Sequence, residues 1–419
     1  MKYYLVGIKG SGMASLAQML LDEGYYVTGS DVREKFFTEN ILINKGIEIK
    51  EFNEDNITNE YYYIIGNAYN EENVEVKKII RKNYKYIYYH EFIGSLEKRK
   101  MIACCGTHGK TTTTNFIVNF LDHKCSYIIG DGTGGSYKNN NLLVIEACEY
   151  KEHFLKYNPE LLIINNIELD HTDYYKSIKS VIKSFQKISN NSKCIFVNGD
   201  DKNIKKIKHK NKITFGFNKK CDVKIKILSE TNNGYYVLVK YKNDIYLKIP
   251  YTGKHMIYNF VSAYMACIIS GYKPIDKEYY PLPKKRVETL SYKKSILIMD
   301  YAHHPTEIKA LYDSVKNKYP HKKINVIFQS HTYERTIKLK NNFKKVLRLF
   351  DNVYLLDVFS SKREKESIFL QNKVDRIYKE FKKYNDSVIK EIGLYEDVWI
   401  FLGAGNADKL IDKLENENK

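Results

Sequence analysis

The sequence predicts an α/β protein of three domains, with a Rossmann-like N-terminal domain, a central P-loop domain and a C-terminal Rossmann-like domain. Three observations predict this class. Short apolar runs alternate with helical patterns, glycine-rich turns follow two of those runs, and a proline-containing segment at 273–285 separates the second region from the third. We expect the domains to span residues 1–98, 99–280 and 281–419.

The first domain opens with a β-α-β unit. An apolar strand is followed by glycines and a helix with apolar positions on one face, and a second strand leads to Asp31. Gly7, Gly10 and Gly12 are spaced G-x-x-G-x-G, whereas NAD-binding folds use G-x-G-x-x-G. From these residues alone, a dinucleotide site and a site for another diphosphate both remain open.

The second domain carries the most informative segment of the chain. An apolar run at 101–105 precedes a glycine-rich turn and a helical pattern, as in the phosphate loop of a P-loop ATPase-like α/β domain. Lys110 is expected to reach the β- and γ-phosphates of ATP, and the Thr111 hydroxyl to bind Mg²⁺. Cys104 stands at the first glycine of the usual pattern. The segment consists of Gly106, Thr107, His108, Gly109, Lys110, Thr111 and Thr112.

Acidic and histidine side chains follow the next two apolar strands of this domain. Glu146 ends one run, and Asp170 and His171 follow the other. The carboxyl ends of parallel strands meet at the ligand crevice of an open α/β sheet, so these side chains are site candidates. Glu146 and His171 are candidate Mg²⁺ ligands, and Glu149 is a less favoured carboxylate nearby.

Polar residues again follow apolar strands in the third domain. Asp300 begins a run that includes His303, and a second run holds His331 and Arg335, which can present cationic groups to a carboxylate. Such groups are costly in a core and readily explained in a site. Arg286 lies in a basic segment before them and can bridge onto a nucleotide.

Composition limits the class of protein and its surroundings. A chain of 419 residues with 43% hydrophobic residues can bury several cores. It has no apolar run of about 18 residues and no signal-peptide pattern, so we expect a cytoplasmic protein without membrane insertion. Seven cysteines without zinc-type spacing fit a reducing compartment.

The net charge of +18 raises the question of nucleic-acid binding. The lysines are scattered, and the densest run, at 202–212, is explained by a solvated face. We therefore expect no nucleic-acid partner. The sequence leaves the oligomeric state open between monomer and homodimer.

The ordered set of motifs resembles the Mur ligase family over essentially the whole chain. The N-terminal glycine turn resembles its UDP-diphosphate loop, and the segment at 106–112 resembles its ATP loop, where family members also lack the first glycine. Met256, Ser330 and Thr332 depart from the family pattern. Further resemblances lie at 146–150, 166–171, 300–307, 329–336 and 403–405.

The resemblance implies a role for each matching residue. Residues expected to bind the UDP-sugar are Gly10, Ser11, Gly12, Met13, Asp31, Asn67 and His90. Residues expected to bind ATP, besides the seven of the phosphate loop, are Asn259, Arg286 and Asp300. The expected catalytic residues are Lys110, Glu146, His171, His303, His331 and Arg335. The expected metal ligands are Thr111, Glu146 and His171.

The resemblance also implies a reaction. ATP, with Mg²⁺, phosphorylates the carboxylate of UDP-N-acetylmuramate, and the amine of L-alanine attacks the acyl phosphate to give an amide, ADP and phosphate. A site divided among three domains predicts closure on ligand binding. The nearest alternative is a recycling ligase that attaches a tripeptide to the same sugar nucleotide. Alternatives of other classes are an NAD-dependent dehydrogenase and a nucleic-acid-binding ATPase.

Overall fold

The computed structural model contains three sheets, one after another along the chain, as the predicted three-domain α/β class requires. The structure describes residues 1–138, 140–284, 286–360, 367–403, 407 and 409–416, with only the backbone of 409, 412, 415 and 416. The resemblance noted at 404–405 therefore lies outside the described residues.

The first sheet has five parallel strands in the order β3-β2-β1-β4-β5, as in a Rossmann-like unit. Its strands are β1 (Lys2–Val6), β2 (Tyr26–Asp31), β3 (Glu48–Glu51), β4 (Tyr62–Ile65) and β5 (Tyr86–Tyr88). Its helices are α1 (Ser11–Asp22), α2 (Glu39–Asn44), α3 (Val74–Arg81) and α4 (Tyr89–Ser95). Strand β2 runs as far as Asp31, because Asp31 still pairs with Glu51 of β3.

The central sheet has ten strands in the order β15-β14-β13-β12-β11-β10-β6-β9-β7-β8. The first six are β6 (Lys100–Cys105), β7 (Ser126–Ile128), β8 (Gly134–Gly135), β9 (Leu142–Glu146), β10 (Leu161–Ile164) and β11 (Cys194–Asn198). The others are β12 (Lys212–Gly216), β13 (Val223–Thr231), β14 (Gly234–Lys240) and β15 (Asp244–Ile249). Its helices are α5 (Lys110–Phe120), α6 (Ile178–Asn191) and α7 (Lys254–Ile269). The antiparallel extension from β13 to β15 goes beyond the predicted strands.

The third sheet has the order β16-β17-β21-β18-β19-β20, with only β16 antiparallel to its neighbour. Its strands are β16 (Glu288–Tyr292), β17 (Ser295–Asp300), β18 (Ile324–Gln329), β19 (Asn352–Leu355), β20 (Lys382–Lys383) and β21 (Val398–Gly403). The helices are α8 (Pro305–Lys318), α9 (Tyr333–Lys338), α10 (Lys340–Leu347), α11 (Ile368–Ile377), α12 (Ser387–Glu391) and α13 (Lys409–Asn416).

Two of the three sheets lie against one continuous apolar core. Leu5 and Leu16 of the N-terminal sheet and its first helix belong to the same buried cluster as Leu143 and Leu162 of the central sheet. The third sheet buries its two faces in separate clusters of its own. The last strand of the first sheet ends before residue 98, and the third sheet begins after residue 280, but the domain boundaries stay predictions.

Helix α1 fastens the N-terminal domain to the central one. The Ser15 hydroxyl donates to the carbonyl of Ile129 at 2.7 Å, and the Gln18 amide donates to the carbonyl of Gly132 at 2.7 Å. A β-carbon at Gly134 would collide with the backbone of Ser15, so only glycine allows strand β8 to approach the helix this closely.

None of the helices in the described part of the chain has the length and apolar character that spanning a bilayer requires. The adjacent residues Cys104 and Cys105 are both buried on β6.

We predict that Gly134→Ala lowers the free energy of unfolding by about 1–3 kcal/mol, the usual cost of overpacking, because the added methyl group pushes α1 away from β8. Gly24→Ala is the matched control. Gly24 has a φ of +87° but open space around it, so only the strain of about 1–2 kcal/mol for a left-handed residue applies.

Denaturant unfolding of both variants measures the difference. The expected distinguishing feature is increased protease sensitivity near β8 in Gly134→Ala alone. Equal behaviour of the two variants would contradict the close-approach argument.

Candidate active site

The phosphate-loop segment forms a turn between strand β6 and helix α5, as predicted. Gly109 adopts a φ of +79° immediately before the helix, and a side chain there would run into the amide of Asn259 on α7. The loop is fastened to the next strand end, because the His108 amide donates to Asn166 Oδ1 at 2.7 Å. The N-terminus of α5 therefore opens into a fixed turn suited to anionic oxygens.

Lys110 is half-buried within this loop and has protein partners. Its ammonium donates to the carbonyl of Gly106 at 2.7 Å and to that of Thr107 at 3.2 Å, and lies 3.1 Å from Glu149 Oε2. Burial lowers the pKa of Lys110, but the charge of Glu149 and neighbouring groups outweighs burial and raises the pKa above its ordinary value. Lys110 is therefore a fixed positive charge at the loop.

The three predicted metal ligands do not all lie together: Thr111 contacts Glu146, whereas His171 contacts Glu149. The Thr111 hydroxyl donates to Glu146 Oε2 at 2.8 Å, and the same oxygen accepts the Gly130 amide at 3.0 Å. His171 instead faces Glu149, with Nε2 3.5 Å from Oε1. The structure thus brings Thr111 and Glu146 together, while His171 contacts the carboxylate that the sequence favoured less.

His108 lies between two carboxylates and joins the phosphate loop to the C-terminal domain. Its Nε2 is 3.3 Å from Glu168 Oε2, and its Nδ1 is 3.3 Å from Glu307 Oε1 at the start of α8. Burial lowers the pKa of His108, but Glu307 and Glu168 outweigh it and raise the pKa to about 9. Burial raises the pKa of Glu168, yet His108 lowers it to about 2. The ring is an imidazolium between two carboxylates at neutral pH.

A second ion pair crosses the same boundary. Arg335 Nε and Nη2 both lie 2.8 Å from Asp170 Oδ1. Both residues are buried, with 3% of Arg335 and 6% of Asp170 exposed. Arg335 Nη1 is also 3.2 Å from His331 Nδ1, and the His331 ring lies 5.7 Å from that of His303. The structure therefore brings the three predicted catalytic residues of the third domain together, with the guanidinium already bound to a carboxylate.

Two histidines of the third domain are neutral at pH 7. Burial lowers the pKa of His303 and that of His304 to about 4 each. His303 Nδ1 lies 3.0 Å from the carbonyl oxygen of Tyr301. Because a carbonyl only accepts, Nδ1 carries the hydrogen and Nε2 is the acceptor nitrogen of the ring.

A cavity of about 910 Å³ opens between the phosphate loop and the C-terminal domain. Its volume suits a nucleotide. The three predicted ATP residues outside the loop, Asn259, Arg286 and Asp300, all line it. Asp300 also accepts backbone hydrogen bonds from Val287 at 3.0 Å and Ala302 at 2.8 Å, so its carboxylate holds the entry to this domain in shape.

The predicted UDP-sugar residues form two groups in the N-terminal domain. At the glycine turn, Asp31 Oδ2 accepts the Lys9 amide at 2.8 Å, and Oδ1 accepts the Tyr69 hydroxyl at 2.7 Å. Gly10, Ser11, Gly12 and Met13 form the adjoining turn and the first residues of α1. Both carboxylate oxygens of Asp31 therefore accept hydrogen bonds from the protein, and direct contact of Asp31 with a ligand stays a prediction.

The second group reaches the central domain. His90 Nδ1 is 2.7 Å from Asn67 Oδ1, and Asn67 Nδ2 is 3.1 Å from His153 Nδ1. The rings of His90 and His153 stack with centroids 4.5 Å apart. The predicted residues Asn67 and His90 thus lie together at the boundary between the first two domains.

Several residues of these clusters were absent from the predicted set. Lys9 and Tyr69 bind Asp31, His153 binds Asn67, and Glu168 and Glu307 bind His108. Glu168 and Glu307 lie inside segments that the sequence had already singled out, so the signal was present. Tyr69 and His153 lie in no motif, and only the packing of the chain reveals them.

The fold and site define a three-domain nucleotide-binding protein with a phosphate loop facing an interdomain cleft. Models of the Mur ligase family match nearly the whole chain: its catalytic domain over residues 2–101, its middle domain over 104–267 and its glutamate ligase domain over 285–405. The chain belongs to the Mur ligase family.

Individual relatives match over the full length. The chain is 37% identical over 433 residues to the UDP-N-acetylmuramate–L-alanine ligase of Pediococcus pentosaceus, covering 100% of this chain and 98% of that protein. The crystal structure of the UDP-N-acetylmuramate-alanine ligase of Thermotoga maritima matches with a TM-score of 0.80 at 26% identity, covering 100% of this chain and 99% of the other. A murein peptide ligase from Psychrobacter arcticus shares the fold, with a TM-score of 0.73 at 19% identity over 99% and 98% of the two chains.

The raised pKa of His108 predicts a pH-dependent stability. Because the folded pKa of about 9 lies above the ordinary value of 6.5, its stabilising effect is fully present below about pH 6.5 and is lost as pH rises through about 9. The difference in Tm between the wild type and His108→Gln should therefore be largest near pH 6.5 and shrink above pH 9, as measured by calorimetry. A constant difference across this range would contradict a charged His108.

Proposed function

We propose that this chain is an ATP-dependent ligase that joins L-alanine to the lactyl carboxylate of UDP-N-acetylmuramate, a step of peptidoglycan precursor synthesis. One observation carries the proposal: His108 of the phosphate loop and Glu307 of the C-terminal domain, which form an ion pair, line a single cleft large enough for a nucleotide. The full-length relatives named for this activity give the substrates.

The phosphate loop would bind ATP through backbone amides at the start of α5 and through Lys110. That ammonium is held 3.1 Å from Glu149 in this structure, and phosphate oxygens offer it stronger partners than the loop carbonyls do. The cavity lined by Asn259, Arg286 and Asp300 would hold the nucleoside. The reaction brings two anions together, so fixed positive charge at this place lowers the barrier.

The donors present fit Mg²⁺. Thr111 and Glu146 place a hydroxyl and a carboxylate 2.8 Å apart beside the loop, and Mg²⁺ is held in proteins by few such oxygens together with phosphates. When bound, Mg²⁺ would neutralise charge on the transferred phosphoryl group. Thr111 and Glu146 would hold it, with His171 as the third ligand predicted from the sequence.

The first domain would hold the UDP-sugar so that its carboxylate approaches ATP in an essentially intramolecular reaction. The glycine turn at the start of α1, with Asn67 and His90 across the cleft, would bind the diphosphate and the sugar. We also place L-alanine at the cluster of His303, His331 and Arg335. The ammonium of L-alanine must lose a proton before the amine attacks the acyl phosphate. His303 is neutral, and its Nε2 can accept that proton.

The choice of acceptor tests this function. With UDP-N-acetylmuramate and ATP, ADP release should depend on L-alanine, and an L-alanyl tripeptide should support little of it. ADP release with the tripeptide but not with L-alanine would favour the recycling ligase instead. The matched control omits UDP-N-acetylmuramate. ADP release that is independent of both substrates would indicate ATP hydrolysis alone and would contradict the proposed ligase activity.

Glu146 should carry the Mg²⁺ requirement of that reaction. Glu146→Gln keeps the size of the side chain but weakens the donor beside Thr111, so we expect half-maximal ADP release to need about 10-fold more Mg²⁺ or more. Glu51→Gln, on the exposed edge of the first sheet, is the matched control and should leave the Mg²⁺ titration unchanged. An unchanged titration in Glu146→Gln would remove this carboxylate from the metal site.

A further inference from the structure

A thiol, a carboxylate and an imidazole meet beside the phosphate loop. The donor atoms of Cys148, Glu149 and His171 all lie within 4.8 Å of one another. Cys148 is exposed, Glu149 is only 2% exposed, and His171 is half-buried. A cation can therefore enter from the side of the thiol and end against a buried carboxylate.

One oxygen of the buried Glu149 carboxylate can accept a bond from a cation. Glu149 Oε2 accepts no hydrogen bond from the described residues, although the Lys110 ammonium lies 3.1 Å away as an ion-pair partner. A buried carboxylate oxygen that accepts no hydrogen bond is costly unless a positive charge compensates it. The lysine supplies that charge in this structure.

The backbone holds the imidazole in an unusual way. His171 has a φ of +47°, in the left-handed region that non-glycine residues rarely adopt, and its ring lies 4.9 Å from that of Tyr150. A strained residue of this kind persists only where its surroundings fix it, and such residues concentrate at sites. The conformation turns the ring toward Glu149, with Nε2 3.5 Å from Oε1.

The chemistry of the three donors selects the metal. Thiolate and imidazole suit Zn²⁺ and related ions, whereas Mg²⁺ prefers oxygen and keeps much of its water. Three protein ligands with an open fourth position are the usual arrangement of an accessible zinc site. We propose that Cys148, Glu149 and His171 form a site for a thiophilic divalent cation of the Zn²⁺ type, distinct from the oxygen pair of Thr111 and Glu146.

The site is coupled to the phosphate loop through one shared carboxylate. A cation bound to Glu149 competes with the Lys110 ammonium, because both are positive and both use the same two oxygens. Thiophilic metal therefore displaces Lys110 from its resting partner and takes His171 from the ligand set predicted for Mg²⁺. This inference goes beyond the proposed reaction, and it does not depend on the identity of the substrates.

Cobalt is the probe, because Co²⁺ replaces Zn²⁺ and absorbs by charge transfer when a thiolate binds it. The reduced full-length protein, without nucleotide, is titrated with Co²⁺. We expect thiolate-to-cobalt absorption that saturates at one equivalent and is abolished by added Zn²⁺. Cys148→Ser should lose the band. Cys194→Ser, at the other cysteine that is not fully buried, is the matched control and should keep it.

Two further variants locate the cation against its neighbours. His171→Ala should weaken Co²⁺ binding about 10-fold or more through loss of one ligand. Lys110→Ala should strengthen it, because the competing ammonium is gone. Absence of the band in the wild type, its persistence in Cys148→Ser, or weaker binding in Lys110→Ala would each overturn the proposal. The titration contains no ATP, sugar nucleotide or amino acid, so it can fail or succeed independently of the ligase assay.

Discussion

The joint between the phosphate loop and the C-terminal domain depends on one charged ring. His108 lies 3.3 Å from Glu168 of its own domain and 3.3 Å from Glu307 of the next. Without a positive charge between them, the two carboxylates would face each other across the cleft and repel. Because His108 also belongs to the loop that receives phosphate, the shape of that loop and the position of the third domain are set by the same side chain.

Carboxylates of the protein pair with two of the cations of this site. Glu149 neutralises Lys110, and Asp170 neutralises Arg335, each at about hydrogen-bond distance, and Glu149, Asp170 and Arg335 are all buried. An unpaired buried charge costs several kcal/mol, so these internal partners stabilise the cations of the site. A ligand anion must then compete with a carboxylate rather than with water, which favours ligands of high charge such as polyphosphates.

The sequence predicted those features that are local in the chain. Glycine spacing and apolar runs identified both loops, and polar residues at strand ends identified His303, His331 and Arg335, which the structure brings together. Pairings between distant segments could not be predicted, because nothing in the neighbourhood of His108 specifies Glu307. The sequence favoured Glu146 over Glu149 as a Mg²⁺ ligand from its place at the end of β9, but it could not show that the turn that follows brings Glu149 against His171. Strand β13 begins Val223-Lys224-Ile225-Lys226-Ile227, and its lysines dilute the apolar signal, so the sequence did not indicate a strand there.

The contacts at the two domain boundaries differ in chemical character. Between the first and second domains lies a continuous apolar core, in which Leu16 and Leu143 belong to one buried cluster. Between the second and third, ion pairs such as Asp170–Arg335 carry the described contacts. Opening the apolar boundary exposes hydrocarbon to water, and opening a buried ion pair leaves a charge without its partner, but an anionic ligand can replace the carboxylate in such a pair. The boundary between the second and third domains is accordingly the one whose contacts a charged ligand can exchange, and the apolar boundary offers no such exchange.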